Sequence, residues 1–510
     1  MESTRATESW VLAAAILASS MAFIDGTALN VAMPAIQASL RASGSQLLWV
    51  ANSYLLMLAA LILVGGSLGD RLGRKKAFGA GIGLFAAASC ACGLSPSIGF
   101  LIAARAVQGL GGALMIPGSL SLITASTAPE RRGRAIGTWS AVTTLVTVVG
   151  PALGGVLSDL GLWRGVFLIN IPLGIAALVV LASKVPESRD ESIAGPIDAA
   201  GALLAIVALA ALAYGFIEAP DLGFGSPLVI VALAVGAGAC LAFVLAERSR
   251  EFPMLPLRLF GSRAFSGANL LTLLLYGALS AATFFLSLDL VQTQGYSKTQ
   301  AGLAFLPFAL ILTLLARPAG AMADRRGPRL FLTLGPALVG LGFFALALPG
   351  ITRGPSAYWA SFFPGIALFG LGMGFTVAPL TSTVMGAQSA RFSGVASGVN
   401  NAISRAAGAL AIAILGSLAL FAFASRLGSS QAASGLDAPA RAALAAGSRD
   451  LGATVPPPGL AESANAAVRA AISSSFTAAF RIVLVSCAAL AIGSALIAFL
   501  TIRDPERRPG

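Results

Sequence analysis

Histidine is absent from the 510 residues, which excludes His-based catalytic triads and His-ligated metal sites. Charge is scarce as well, 11% of the chain against about 25% in an ordinary soluble domain. Cysteine contributes only four residues, Cys90, Cys92, Cys240 and Cys487, and none forms a CxxC pair. The thiols of Cys90 and Cys92 would point about 200° apart on a helix, so small apolar packing is the role left to them. No enzymatic activity, metal or cofactor is expected of such a chain.

What is plentiful is apolar surface: 57% of the residues are hydrophobic and the mean hydropathy is +0.86. That is the balance of a polytopic helical membrane protein. A span needs about 20 apolar residues. Candidate spans cover 10–35, 47–68, 77–94, 98–124, 135–157, 164–183, 198–217, 227–246, 266–290, 300–322, 331–349, 358–382, 394–423 and 478–502. An even number puts both termini on one side. The net charge of +12 would suit nucleic acid, but the basic residues sit in short loops, where they orient a membrane protein. Loops on the side of the termini hold 21 Lys and Arg, against four in the short loops opposite. A multi-pass protein of a bacterial cell membrane is expected, with both termini cytoplasmic, lipid as its surroundings and no nucleic acid as partner. The leader carries Glu2, Glu8 and only Arg5, unlike a cleaved signal. Residues 424–477, rich in Ala, Ser and Gly with Pro456, Pro457 and Pro458, read as a loosely ordered external loop with room for one amphipathic helix, either a tolerated insertion or a lid.

A repeat divides the chain. "GSLGDRLGRK" starts at Gly66 and "GAMADRRGPR" at Gly320, an offset of 254, each after the second span of a six-span unit. Two bundles are therefore expected, 10–183 and 266–502. The linker 184–265 holds an inserted pair of spans, and 1–9 and 503–510 are cytoplasmic ends. In the 66–76 turn, Gly69 and Gly73 suit close approach and unusual backbone angles. Asp70 can face the N-terminus of a neighbouring helix. For Arg71, Lys75 and Lys76, setting topology and meeting lipid head groups suffices.

Asp25 lies inside the first span, where a charge costs about 2.5–3.5 kcal/mol on insertion scales. Its helical face holds Ala18, Ala22, Leu29 and Ala32, small enough to pack on protein or a cavity. Asn30 is about 140° away around the helix and serves another contact. No Lys or Arg lies within a turn, so the neutral form of Asp25 is favoured by burial. It can then exchange a proton as its exposure changes and meet a cationic substrate. The alternative is a structural pair with Arg105. That residue lies about seven residues into the fourth span and shares a face with Gln108, Gly109 and Gly112. Asp289 stands near the outer end of the ninth span, open to an interfacial or a cavity role. Glu218, Asp221 and Asp159 read as loop residues. Tyr54, Asn170 and Arg317 lie within spans and either line a path or pack. Gly150, Pro151, Gly154 and Gly155 combine close packing with a proline kink.

Five motifs in order carry a resemblance: "IDGTALNVAMP" (24–34), "GSLGDRLGRKK" (66–76), "RAVQGLGGALMIP" (105–117), "GPALGG" (150–155) and "WRGVFLINIPLG" (163–174). The chain resembles the fourteen-span drug:proton antiporters of the major facilitator superfamily, over essentially its whole length. The resemblance implies an all-α major facilitator fold of two six-helix bundles plus two inserted helices. It implies a cytoplasmic latch in which Asp70 meets the helix start near Ser393 and Arg74 engages Glu130, mirrored by Asp324 and Arg325. It also implies that Arg105 takes part in proton movement and that the 150–155 motif belongs to antiporters. The function expected is export of hydrophobic, cationic drugs or toxic compounds, driven by a proton gradient, with any accessory export component unidentified. Rival expectations are an exporter of one natural product or lipid, and a non-transporting sensor or scaffold.

Overall fold

A computed structural model describes residues 2–189, 197–352, 354–388 and 393–504. Arg353, Arg391, Arg507 and Arg508, counted in the charge asymmetry above, lie outside the described residues, as does the side chain of Ser393. So do parts of the expected linker and tail, 190–196 and 505–510.

The described chain is almost entirely helical. Fourteen helices are long and apolar enough to cross a membrane. They are α1 (Glu2–Leu40), α2 (Gly44–Leu72), α3 (Arg74–Gly93), α4 (Ile98–Ser126), α5 (Pro129–Asp159), α6 (Gly165–Lys184), α7 (Ala199–Leu222), α8 (Pro227–Ser249), α9 (Arg263–Gln292), α10 (Lys298–Arg326), α11 (Pro328–Ala347), α12 (Phe363–Gly386), α13 (Ser393–Gly428) and α14 (Glu462–Thr501). In lipid every backbone polar group must be satisfied internally, so helices are the only choice for these segments. Local chemistry sets their ends. Capping boxes start α2 (Ser43 with Gln46) and α10 (Ser297 with Gln300). Pro129, Pro227 and Pro328 occupy first turns, where a missing N–H costs nothing.

Helices α1 to α6 pack into one bundle and α9 to α14 into another. Two seams join them: α2 runs against α13, and α5 meets the first turns of α10. The inserted helix α7 lies on the α2–α13 seam, with α8 outside it. Glu218 and Asp221 are residues of α7, not of a loop. Glu218 Oε1 accepts from Trp49 Nε1 at 2.8 Å and Asp221 Oδ2 accepts from Ser45 Oγ at 2.8 Å. Asp159 is the last residue of α5, and its carboxylate takes the backbone N–H groups of Lys298 (3.1 Å) and Thr299 (2.8 Å) across the second seam.

The expected loose loop is shorter and better ordered than its composition implies. Helices α13 and α14 extend past their apolar stretches, leaving 429–461 between them. Alanine-rich flanks carry high helix propensity after hydropathy has faded. The remaining segment forms short helices at Gln431–Ser434 and Ala438–Gly447 and a 3-10 turn at Ser448–Ala453, with Leu444 and Leu451 buried. It straps the side opposite the termini. Gln37 Nε2 donates to Asp450 O (3.0 Å), Gln292 Nε2 donates to Gln37 Oε1 (2.7 Å), and Arg449 pairs with Asp221 (3.1 Å).

Burial first, and then the charge of Asp221, push the Asp450 carboxyl up from its usual range. A raised carboxyl favours the packed state while protonated. The strap is therefore tightest below the ordinary carboxylate range and loosens as pH rises through the shifted value. A cysteine placed at Ser448, buried within the strap, should label faster from this side at about pH 8 than at about pH 4 after correction for reagent chemistry, and Asp450→Asn should abolish the difference. Labelling with the same pH dependence in both proteins would remove the switch.

Candidate functional site

The polar residues of the first bundle converge on one buried cluster. Asp25 on α1 is 0% exposed and Arg105 on α4 is 1% exposed. Arg105 Nη1 bonds Asp25 Oδ2. Gln108, one turn further on α4, closes the set. Its Nε2 donates to Asp25 Oδ1 (2.9 Å) and to Ser89 Oγ of α3 (2.8 Å), and its Oε1 accepts from Arg105 Nη1 (2.7 Å). Arg105 Nε donates to Val50 O (3.3 Å), and the guanidinium stacks over the Tyr54 ring at 4.4 Å. Asn170 on α6 donates to Ser89 at 3.3 Å. The i, i+3 spacing of Arg105 and Gln108 aims both at the same acid.

Asp25 pairs with Arg105. Its own helix supplies no cation, but α4 does. An isolated acid is corrected to one half of an ion pair. Breaking such a pair is costly because it strands a buried charge. Here the neighbours lower that penalty on one side. If Asp25 takes a proton, Arg105 keeps Gln108 Oε1, Val50 O and the Tyr54 face. The cluster can hold its cation while the acid changes charge.

The 150–155 motif links this cluster to the second seam. A Cβ on Gly150 would lie 1.9 Å from Thr27 Oγ1, and one on Gly154 would lie 2.3 Å from Ala28 O, two to three residues beyond Asp25. On the other face, a Cβ on Gly155 would lie 2.3 Å from Lys298 O, and one on Gly302 would lie 2.2 Å from Pro151 O. Helix α5 thus touches α1 and α10 backbone to backbone. Beyond this contact α5 and α10 draw apart toward the side of the termini, where Leu145 and Leu314 are exposed.

The turn motifs behave differently from expectation. Arg74 Nε, at the start of α3, bonds Asp70 Oδ1 at the end of α2 at 2.7 Å, and Glu130 is exposed. The pair Arg74–Glu130 is not formed, since Asp70 is only four residues away. Asp324 and Arg325 are exposed and make no ion pair among the described residues. Gly66 and Gly69 would bring a Cβ only to ordinary contact, 3.6 and 3.7 Å; the close approach is at Gly65, 2.0 Å from Ala113 O. Gly73 does need its freedom, with φ 112°, as does its repeat mate Gly327 at 95°.

The repeat also has a partner that the motifs do not contain. Glu187 accepts from the backbone N–H groups of Lys75 (2.9 Å) and Lys76 (3.2 Å), and Asp504 accepts from Arg329 N (3.0 Å). The carboxylates that dock on the starts of α3 and α11 follow the last helix of each bundle.

Asp289 is 0% exposed, so an interfacial, solvated position is ruled out. Its Oδ2 accepts from Gln294 Nε2 at 3.0 Å, and Oδ1 has no hydrogen-bond partner among the described residues. It belongs to the other bundle, away from Asp25. Asn30 is half-buried and outside the cluster, and Arg317 is exposed on α10.

Arg405 was not singled out by the sequence reading. It lies 12 residues into α13 and is half-buried. A basic residue in mid-span was the available signal. Its neighbour Ser404 lines a cavity of about 100 Å³ together with Tyr276, Thr381, Ser397, Asn400, Asn401 and two apolar residues.

Comparison with known proteins agrees with this architecture. The sequence model described as Major Facilitator Superfamily matches residues 15–412. The methylenomycin A resistance protein of Bacillus subtilis is 35% identical over 422 residues, covering 81% of this chain and 88% of that protein. The tetracenomycin C resistance and export protein of Streptomyces glaucescens is 32% identical over 503 residues, 96% of this chain and 90% of that protein. Among solved structures, a bacterial homolog of the human lysosomal transporter Spinster, inward-facing and unoccupied, aligns with a TM-score of 0.64 at 19% identity, covering 98% of this chain and 99% of that one.

Proposed function

Because the chain belongs to the Major Facilitator Superfamily, we propose that it is an exporter that drives amphipathic compounds out of the cell in exchange for protons, with both termini in the cytoplasm. The observation that carries this reading is the Asp25–Arg105 pair, fully buried yet placed next to the backbone contact of α1 with α5. A proton arriving at Asp25 weakens its hold on Arg105, and α1 transmits the change to the α5–α10 seam. Linkage then requires that substrate and proton each weaken the other's binding. A preference for cations is not part of the proposal, since both oxygens of Asp25 are already engaged by Arg105 and Gln108. Export of one natural product is the second reading, favoured by the similarity to the tetracenomycin C resistance and export protein of Streptomyces glaucescens.

The test is dye movement in proteoliposomes with an imposed pH gradient. Rhodamine 6G and fluorescein, similar in shape and opposite in charge, serve as probes. At least one should accumulate against its gradient only while the proton gradient stands. Equal movement without the gradient would point to a uniporter. Movement of neither probe, nor of the two antibiotics named above, would leave the sensor or scaffold class.

A further inference from the structure

The second bundle holds a charge that the proton mechanism does not use. Arg405 is half-buried in the middle of α13 and forms no hydrogen bond or ion pair among the described residues. The other mid-span arginine of a packed site, Arg105, is saturated by Asp25, Gln108 and Val50. Helices α2, α7, α9, α12 and α14, which pack around α13, carry acids only near their ends, at Asp70, Glu462, Glu218, Asp221 and Asp289. Each of the last three has its own partner on the side opposite the termini, and Asp70 is held by Arg74.

The cavity between α9, α12 and α13 contains no acid, and two of the residues that line it lie within a turn of Arg405 along α13. Ser404 is its neighbour in sequence, and Asn401 is one turn away on the same face. The hydroxyls of Tyr276 and Ser404 make no hydrogen bond among the described residues, so they remain as donors. Asn400, by contrast, is held by Asn269 (3.0 Å) and Thr272 (2.7 Å) and serves as a wall. The cavity faces the side of the termini, since Thr381, Val384, Met385 and Ser397 lie in the ends of α12 and α13 on that side. A half-buried cation without a counter-charge bears part of the cost of a buried one, and a ligand that brings an anionic oxygen reduces that cost.

We propose that this cavity is a substrate subsite for compounds bearing a carboxylate or other anionic oxygen, with Arg405 as the counter-charge and the Tyr276 and Ser404 hydroxyls as donors. The subsite deepens the export reading and rests on it for its biological use, but its charge preference is a binding property that can be measured without transport.

Binding of fluorescein and rhodamine 6G to the purified protein in detergent separates the two. The wild type should bind fluorescein at least about tenfold more tightly than rhodamine 6G. Arg405→Gln should erase that ratio, Arg405→Lys should retain part of it, and Asn401→Ala should weaken fluorescein less than Arg405→Gln does. A wild type that binds the cation more tightly, or fails to bind fluorescein, overturns the subsite. So does a ratio unchanged in a monodisperse Arg405→Gln. Should Arg405→Gln fail to fold, a ratio unchanged by Arg405→Lys and by Ser404→Ala overturns it as well. Charge-selective binding without gradient-driven movement would leave the subsite standing and remove proton-driven export.

Discussion

Asp25→Asn is expected to abolish proton-driven export and also to destabilise the protein, whereas Asp25→Asn combined with Arg105→Gln should recover stability without recovering export. The single change keeps an amide beside Gln108 but strands the Arg105 guanidinium, 1% exposed, without a counter-charge. Removing one partner of a buried pair costs about 3–5 kcal/mol, while replacing both is often near neutral. A merely structural pair would regain both properties in the double variant. Melting in detergent and dye movement in proteoliposomes, measured on the same preparations, separate the cases. Full export by the double variant, or by Asp25→Asn alone, would move coupling elsewhere. Asp289 would be the next candidate, because its Oδ1 lacks a partner.

Gly155→Ala should hold the protein open on the side opposite the termini. The added methyl would sit 2.3 Å from Lys298 O, across the seam between bundles. Overpacking of this kind costs about 1–3 kcal/mol. Acting on one conformation only, it shifts the equilibrium about 5- to 150-fold. Cross-linking of cysteines placed at Asp159 and Lys298 reports the shift, since Lys298 Nζ lies 3.5 Å from Asp159 Oδ1 when the seam is closed. Yield should fall with Gly155→Ala and with Gly302→Ala. Gly154→Ala is the control: its methyl would strike Ala28 O inside the first bundle, so it should lower the melting temperature more than the cross-linking yield. Equal effects of Gly154→Ala and Gly155→Ala on yield would mean that the seam is not where the bundles part.

The legible part of this protein lies where the membrane leaves the chain no alternative. Apolar length marks all fourteen helices, because unpaired backbone cannot be exposed to lipid. The glycine pattern of 150–155 announces close packing, and the repeat at Gly66 and Gly320 announces two bundles. Hydropathy was a poor guide to helix ends. It stopped α13 and α14 at their apolar limits and left Glu218 and Asp221 in a loop, although α7 includes both. Ion-pair partners were harder still. Arg74 was expected to reach Glu130 and instead holds Asp70, because a partner four residues away needs no rearrangement of helices.

Sequence by itself determined the class, the number of crossings, and the identity of the charges that must be accommodated inside the membrane, since each of these follows from the cost of transferring a residue into hydrocarbon. Tertiary structure alone decided which charge meets which. Asp25 and Arg105 stand 80 residues apart and become partners only when α4 lies beside α1. Among the described residues Arg405 stays unpaired, because no helix around it carries an acid at its depth. Pairing depends on distances in space, and a sequence records only distances along the chain.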